Sequence, residues 1–329
     1  MSKPMFLLAA TALGALVATP AAAHSVTPEK ILRAQDDLTY TGLLLINGSQ
    51  RVQVTHGGAQ QHRQAFFNPE GQVADLMVSD GRNRWHYAPK SQVVRLMPLE
   101  ELGEVAPRLA LLNQNYRFQV MGQARKADRL VVITRFTPLN AGNLTHMLWV
   151  DPHTNLPLAV ERRQQDGKLV DRSEYLRIQY RPKLSQQAFQ FRIPDGCRVQ
   201  SSLTMLAHGS AGAVIPQDLS FKPPAPRATP KGYRLSAWKY FTSQRNVPTF
   251  NWRYHDGLNT LSLFAVHERF APKPPQDAHV VSIEGGQGHM TTQGANHMLM
   301  WRANQVTYTL IGHLPEQQMI EMAASTLTH

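Results

Sequence analysis

Turn signals recur at short intervals along this chain, and the stretches between them alternate apolar with polar residues. Asn47-Gly48 is a hairpin signal between Tyr40-Thr-Gly-Leu-Leu-Leu-Ile46 and Arg51-Val-Gln-Val-Thr55. Asn68-Pro-Glu-Gly71, Ser79-Asp-Gly81, Asp151-Pro-His-Thr-Asn155 and Gln165-Asp-Gly167 repeat the punctuation. Between them lie Arg82-Asn-Arg-Trp-His-Tyr87, Leu130-Val-Val-Ile-Thr-Arg-Phe136 and Leu156-Pro-Leu-Ala-Val-Glu-Arg162. Period-two alternation with short turns builds an antiparallel meander with one buried and one wet face. Two helices interrupt it: a short one over Pro28 to Asp37, and one over Val105 to Asn115 with apolar residues at 105, 109 and 112. The second helix is expected to cover one open side of the sheet.

The 329 residues suit two domains. Small, weakly periodic residues from Ser201 to Gly212, then Pro216 and the prolines between Lys222 and Pro230, mark a boundary. Beyond it His255-Asp-Gly257 reads as a turn and Leu258 to Val266 as a strand. Met298 to Arg302 and Val306 to Ile311 read as a hairpin. Pro315 and Glu316 open a terminal helix that runs to about Leu327. The expected class is mainly β with a few helices (α+β): a curved antiparallel sheet under a helix, then a smaller antiparallel sheet with a terminal helix.

The N-terminus predicts export. Lys3 precedes the apolar run Met5 to Ala18, and Pro20 leads into Ala21-Ala22-Ala23, so cleavage is expected after Ala23, making residues 1–23 a signal peptide. The run is shorter than the roughly 20 apolar residues of a membrane span, and no cysteine follows the cleavage site to carry a lipoprotein anchor. The formal net charge of +11 falls to +10 without Lys3 and favours anionic partners. In an exported protein those partners are lipid head groups or acidic proteins rather than nucleic acid.

Chemical motifs are sparse. Cys197 is the single cysteine, so no internal disulfide and no multi-cysteine metal cluster can form. It reads as a packing residue or an unused thiol. The fourteen histidines show no metal-ligand spacing; no metal site or cofactor is expected, and chelator should leave stability unchanged. Gly285-Gly-Gln-Gly288 lacks the strand–glycine–helix grammar of a dinucleotide loop and reads as a flexible hairpin connection. His208-Gly-Ser210-Ala-Gly212 departs from the nucleophile-elbow pattern. Asn47-Gly-Ser49 and Asn143-Leu-Thr145 match glycosylation acceptors and also read as turns. Binding, not catalysis, is the leading class.

The order of segments resembles a known family. Leu38 to Ile46, Asn115-Tyr-Arg-Phe118, Leu148-Trp-Val-Asp-Pro-His-Thr-Asn-Leu-Pro-Leu158, Asp166-Gly167 and Phe191-Arg-Ile-Pro-Asp-Gly196 resemble the periplasmic sigma-E regulators of the RseB/MucB family. The turn around Asp151 and the closing Phe191 to Gly196 segment are shared with lipoprotein-sorting proteins of the LolA kind. Pro230-Lys-Gly-Tyr-Arg-Leu235, Tyr254 to Phe264 and Val306 to Pro315 resemble the regulators' second domain, which a plain carrier lacks. The resemblance implies a LolA-type half-barrel over 24–200, a linker over 201–217 and an anti-sigma-factor-binding domain over 218–329. It implies a periplasmic, non-enzymatic regulator that binds the periplasmic part of a single-span anti-sigma factor, shields it from proteolysis and releases it on binding lipid or lipopolysaccharide. Self-association as a homo-oligomer stays open. The alternative is a LolA-type carrier of lipid or lipoprotein.

A curved sheet under a helix can leave an apolar groove for acyl chains. Alternation nominates same-face pairs for its lining: Val52 and Val54, Leu76 and Val78, Trp85 and Tyr87, Tyr116 and Phe118, Val131 and Ile133, Met147 and Trp149. Arg82, Arg84, Arg162 and Arg163 are the candidate partner-binding cations. Few packed contacts are expected to cross the connection from Ser201 to Gln217, so the two domains should reorient about it.

Overall fold

The computed structural model describes residues 26–58, 60–97, 105–201, 203–243, 246–293 and 296–327. The expected signal peptide lies outside them. Helix α1 (Pro28–Asp37) begins at Thr27, whose side chain accepts from the Lys30 N–H while Pro28 occupies the first turn. It buries Ile31, Leu32 and Ala34. Strands β1 (Thr39–Ile46), β2 (Gln50–Gly57), β3 (Gln61–Phe67), β4 (Val73–Asp80), β5 (Arg84–Ala88) and β6 (Val93–Met97) follow as a meander. Helix α2 (Val105–Asn115) leads directly into β7 (Tyr116–Lys126). Then come β8 (Arg129–Pro138), β9 (Thr145–Val150), β10 (Pro157–Arg163), β11 (Leu169–Tyr180) and β12 (Arg198–Ser201).

These twelve strands form one sheet, β12-β6-β5-β4-β3-β2-β1-β11-β10-β9-β8-β7. The return of β11 against β1 joins two meanders into a single curved surface. Both helices pack on one face: Ile31, Leu32 and Leu112 meet Val132, Phe136, Leu148 and Val150. On the opposite face the segment leading to β12 crosses the meander. Phe191 lies 5.9 Å from both Trp85 and Tyr87, and a Cβ on Gly57 would sit 2.6 Å from the Phe189 ring.

The second sheet is antiparallel, built from β13 (Leu203–Ser210), β14 (Arg234–Ser243), β15 (Pro248–His255), β16 (Thr260–His267), β17 (His279–Ile283), β18 (Gly286–Gln293), β19 (Asn296–Ala303) and β20 (Val306–Gly312). Its order is β13-β14-β15-β16-β20-β19-β18-β17. Phe250, Trp252, Leu261, Leu263, Trp301, Tyr308 and Leu310 alternate onto its core face, where Met319 and Met322 of α3 (Glu316–Ala324) complete the packing.

Two sequence expectations change here. Most of the segment expected as a linker over 201–217 is structured: β12 ends in the first sheet and β13 is already the edge strand of the second. Its small residues permit close packing, since a Cβ on Gly209 would meet the Trp238 ring at 2.8 Å. The proline-rich stretch after it is held down as well, with Ser220 bonded to the Tyr240 hydroxyl and the Pro224 carbonyl accepting from Tyr308. The second change is partial: Glu284-Gly285 is the turn of the β17–β18 hairpin, as expected, but Gly286 to Gly288 lie in β18, where a side chain at Gly288 would strike Ile283 and Leu299 at 2.8 Å. Glycine serves close packing there rather than flexibility.

Candidate functional site at the seam between the sheets

The junction of α2 and β7 meets the β15–β16 turn of the second sheet. Asp256 sits in that turn with no exposed surface. Its Oδ1 accepts from the backbone N–H groups of Leu258 (2.9 Å) and Asn259 (2.6 Å), the local geometry of an Asp-Gly turn. Its Oδ2 accepts from the Tyr116 hydroxyl at 2.6 Å, from Asn143 Nδ2 at 3.0 Å and from Asn259 Nδ2 at 2.9 Å. Among the described residues no cation pairs with this carboxylate; five N–H and O–H donors hold its charge, and two of them come from the first domain.

The junction continues around it. Asn115 Nδ2 donates to the carbonyls of Gly232 (2.7 Å) and Asp256 (2.9 Å), and Gln318 of α3 donates to the Ala141 carbonyl. Burial first, and then the Asp256 charge, push the Tyr116 and Tyr233 hydroxyls well above the usual phenol range, so both stay protonated. His146, 6% exposed beside this group, is pushed down to about 4, mainly by burial, and is neutral at physiological pH. The expectation that few packed contacts cross between the domains is therefore overturned. The crossing is made by residues far from the 201–217 segment, more than a hundred positions apart in sequence.

Next to this network the helices, the sheet and the turn enclose a cavity of about 220 Å³. Ile31, Leu32, Leu112, Phe136 and Leu148 supply its apolar wall, and Leu258 of the second domain closes one side. Arg108, 4.0 Å from Asp36, and Arg162 bring positive charge to its lining. A larger open cleft of about 520 Å³ lies at Asp36, Asp37, Gly58 and Asp80. Its carboxylates and open mouth do not suit an apolar or anionic ligand.

The register divides the candidate groove residues. Tyr116 and Phe118 belong to the cluster beneath the helices, whereas Val52 and Val54 pack in a second cluster with Tyr40, Val131, Leu156 and Leu158. Leu76, Val78, Trp85 and Tyr87 point the other way, beneath Phe191. Within β8 and β9, Val131, Ile133, Met147 and Trp149 share the face opposite Val132 and Leu148, and Val131 and Trp149 meet Val52 and Val54 in the second cluster. Alternation fixes which residues share a face within a strand but not which face the helices choose.

Of the four candidate cations, Arg162 makes a two-pronged contact with Asp171 and also lines the cavity. Arg163 is held by Glu161 and the Gly167 carbonyl. Arg84 is half-buried in β5, and Arg82 is exposed at the Asp80 turn. They form no common patch. Asn143, read as a glycosylation acceptor, is 2% exposed and committed to Asp256. Asp256, Asn259, Asn115, Arg108 and His146 were not nominated from sequence. Asn115, Asp256 and Asn259 lie in segments that carry the family resemblance, and the turn His255-Asp-Gly257 specifies a bend, but neither says what lies across it.

Two β-sheet domains joined face to end by a buried polar network, with an apolar cavity at the joint, define a two-domain scaffold built for binding. A family model described as the MucB/RseB N-terminal domain matches residues 27–193, and the chain belongs to that family. Among solved structures, the crystal structure of MucB in complex with MucA(peri) is 17% identical with a TM-score of 0.57, covering 91% of this chain and 95% of that one. The complex structure of Pseudomonas aeruginosa MucA/MucB is 17% identical with a TM-score of 0.60, covering 94% and 100%. A crystal structure of MucB is 16% identical with a TM-score of 0.55, covering 90% and 94%. At these identities the likeness is one of fold. A search of curated proteins found no match.

Proposed function

We propose that this chain is a periplasmic regulator of an extracytoplasmic stress response: it binds the periplasmic part of a single-span anti-sigma factor, shields it from proteolysis and releases it when lipid or lipopolysaccharide binds. One observation carries the reading. The likeness to MucB bound to MucA(peri) extends over 91% of this chain, second domain included, whereas the family model stops at residue 193. A single-domain carrier would need only the first sheet.

The division of labour follows the geometry. The helix-covered face of the first sheet supplies apolar lining with Arg108 beside it for an anionic group, while the second domain supplies surface for the peptide. Binding is all that the chemistry requires; no catalytic step is assigned. The test is calorimetric titration of the mature protein with the periplasmic segment of the anti-sigma factor, with and without lipopolysaccharide. Peptide binding that weakens in the presence of lipopolysaccharide supports the reading. A chain that leaves the peptide unbound, or that fails to protect it from a site-specific protease, overturns it.

A further inference from the structure

Leu258 and Asp256 stand two residues apart in one turn of the second domain, with opposite tasks. Leu258 closes the apolar cavity, and its neighbour Gly257 packs so tightly that a Cβ there would lie 2.7 Å from the Leu112 backbone. Asp256 holds the domains together through Tyr116 and Asn143. The cavity wall and the interdomain bond therefore belong to one rigid element. The backbone of this turn, with Gly257 at a φ of +108° and Asp256 accepting from the next two N–H groups but one, leaves little freedom to move one without the other.

We propose that the 255–259 turn is the displaceable wall through which ligand length is converted into domain rearrangement. The proposal rests on the lipid-sensing reading above and adds its device. At about 220 Å³ the cavity has the volume of roughly seven water molecules, enough for the end of an alkyl chain. A longer chain gains burial for every methylene only if the enclosure grows. Helices and sheet of the first domain supply most of the lining, and the second domain contributes Gly257 and Leu258. Growth toward Leu258 lifts the turn, withdraws Asp256 from Tyr116 and frees the second domain. A short chain that fits behind Leu258 binds without that consequence, because a ligand shifts an equilibrium only by its differential affinity for the two states.

The experiment uses the mature full chain with Cys197→Ser and spin labels at the exposed positions Gln179→Cys and Arg302→Cys, titrated with saturated fatty acids of increasing length. Binding is followed by calorimetry and the interdomain distance by pulsed electron resonance. The expected result is a length threshold: short acids bind and leave the distance distribution unchanged, longer ones shift it. Leu258→Ala should move the threshold to longer acids. Tyr116→Phe should lower the concentration at which a long acid shifts the distance by several-fold. Long acids that bind without any change in distance overturn this device and leave lipid sensing intact. Acids of every length failing to bind overturn both. A threshold that stays put in Leu258→Ala removes Leu258 as the wall, and Leu258→Met, which keeps the bulk, controls for damage to the fold by retaining the original threshold.

Discussion

At the scale of single residues, the seam turns on a carboxylate buried without a cation. Such a group is stabilised only by its full set of donors, so the loss of one is costly. Tyr116→Phe removes the 2.6 Å bond that the phenol donates to Asp256 and the 2.7 Å bond that it accepts from Asn259 Nδ2. It should destabilise the protein by about 1–3 kcal/mol, measured by denaturant unfolding at neutral pH. A change below the error of that measurement would mean that water or Asn259 replaces the phenol at no cost. His146 adds a pH dependence of known sign. Its folded pKa of about 4 lies below the ordinary 6.5, so between these values the unfolded chain binds the extra proton. Stability from this group is complete above 6.5 and is lost as pH falls toward 4, by about 2 kcal/mol at pH 5. Unfolding curves at pH 7 and pH 5 should show that loss in the native sequence and a smaller one in His146→Gln; equal losses in both would show that other groups carry the slope.

At the scale of elements, the β15–β16 turn places a strict demand on its backbone. Gly257 combines a φ of +108° with a virtual Cβ 2.7 Å from the backbone of Leu112 in α2. An alanine there meets both the conformational penalty of the left-handed side and a backbone that cannot rotate away. Gly257→Ala should cost at least about 2 kcal/mol and lower the melting temperature by several degrees. The same substitution at Gly71, which shares a positive φ but has open space around it, measures the conformational part alone. If the two variants melt together, the turn does not press on α2. The two halves of the meander are secured differently: Lys126 at the end of β7 and Arg172 share Glu174, and Arg163 and Arg172 share Glu161, on β10 and β11, whereas Phe191 packs on Trp85 and Tyr87 of β5.

At the scale of the whole molecule, the buried junction makes the domains partners in stability. Domains connected only by a free linker melt independently. Here Asp256 is satisfied only while Tyr116 and Asn143 are in place, and Leu112, Phe136 and Leu148 share an apolar cluster with Leu258. Calorimetry of the full mature chain should therefore show one cooperative transition, and Asp256→Ala should resolve it into two with the earlier one shifted down. Two resolved transitions in the unaltered chain would show that the seam contributes little to either domain. The reciprocal consequence is functional: whatever opens the seam lowers the stability of both sheets, so a ligand that opens it must bind the open form more tightly by at least that amount.

The local rules of the chain determined a great deal. Both helices of the first domain begin and end where the sequence placed them, at Pro28–Asp37 and Val105–Asn115, because a Thr27 cap with Pro28 and an apolar spacing of three to four are written in adjacent residues. The hairpin at Ala303 to Val306 and the turns at Asn47, Gly81 and Asp256 were legible for the same reason, as were the two-sheet class and the family resemblance. What lay beyond local rules was the choice of face. Val54 and Val78 are equally apolar and equally periodic, yet the register puts them on opposite faces of the sheet, Val54 in the cluster around Tyr40 and Val78 paired with Trp85. That choice depends on which side the helices and the Phe191 segment cross, an outcome of packing between distant segments. The seam was hidden for a stronger reason. Asp256 reads as an ordinary exposed turn residue, and Asn143 as a surface acceptor. Only the fold brings Tyr116 within 2.6 Å across 140 positions of sequence, because a buried carboxylate takes its donors from whatever tertiary contact encloses it.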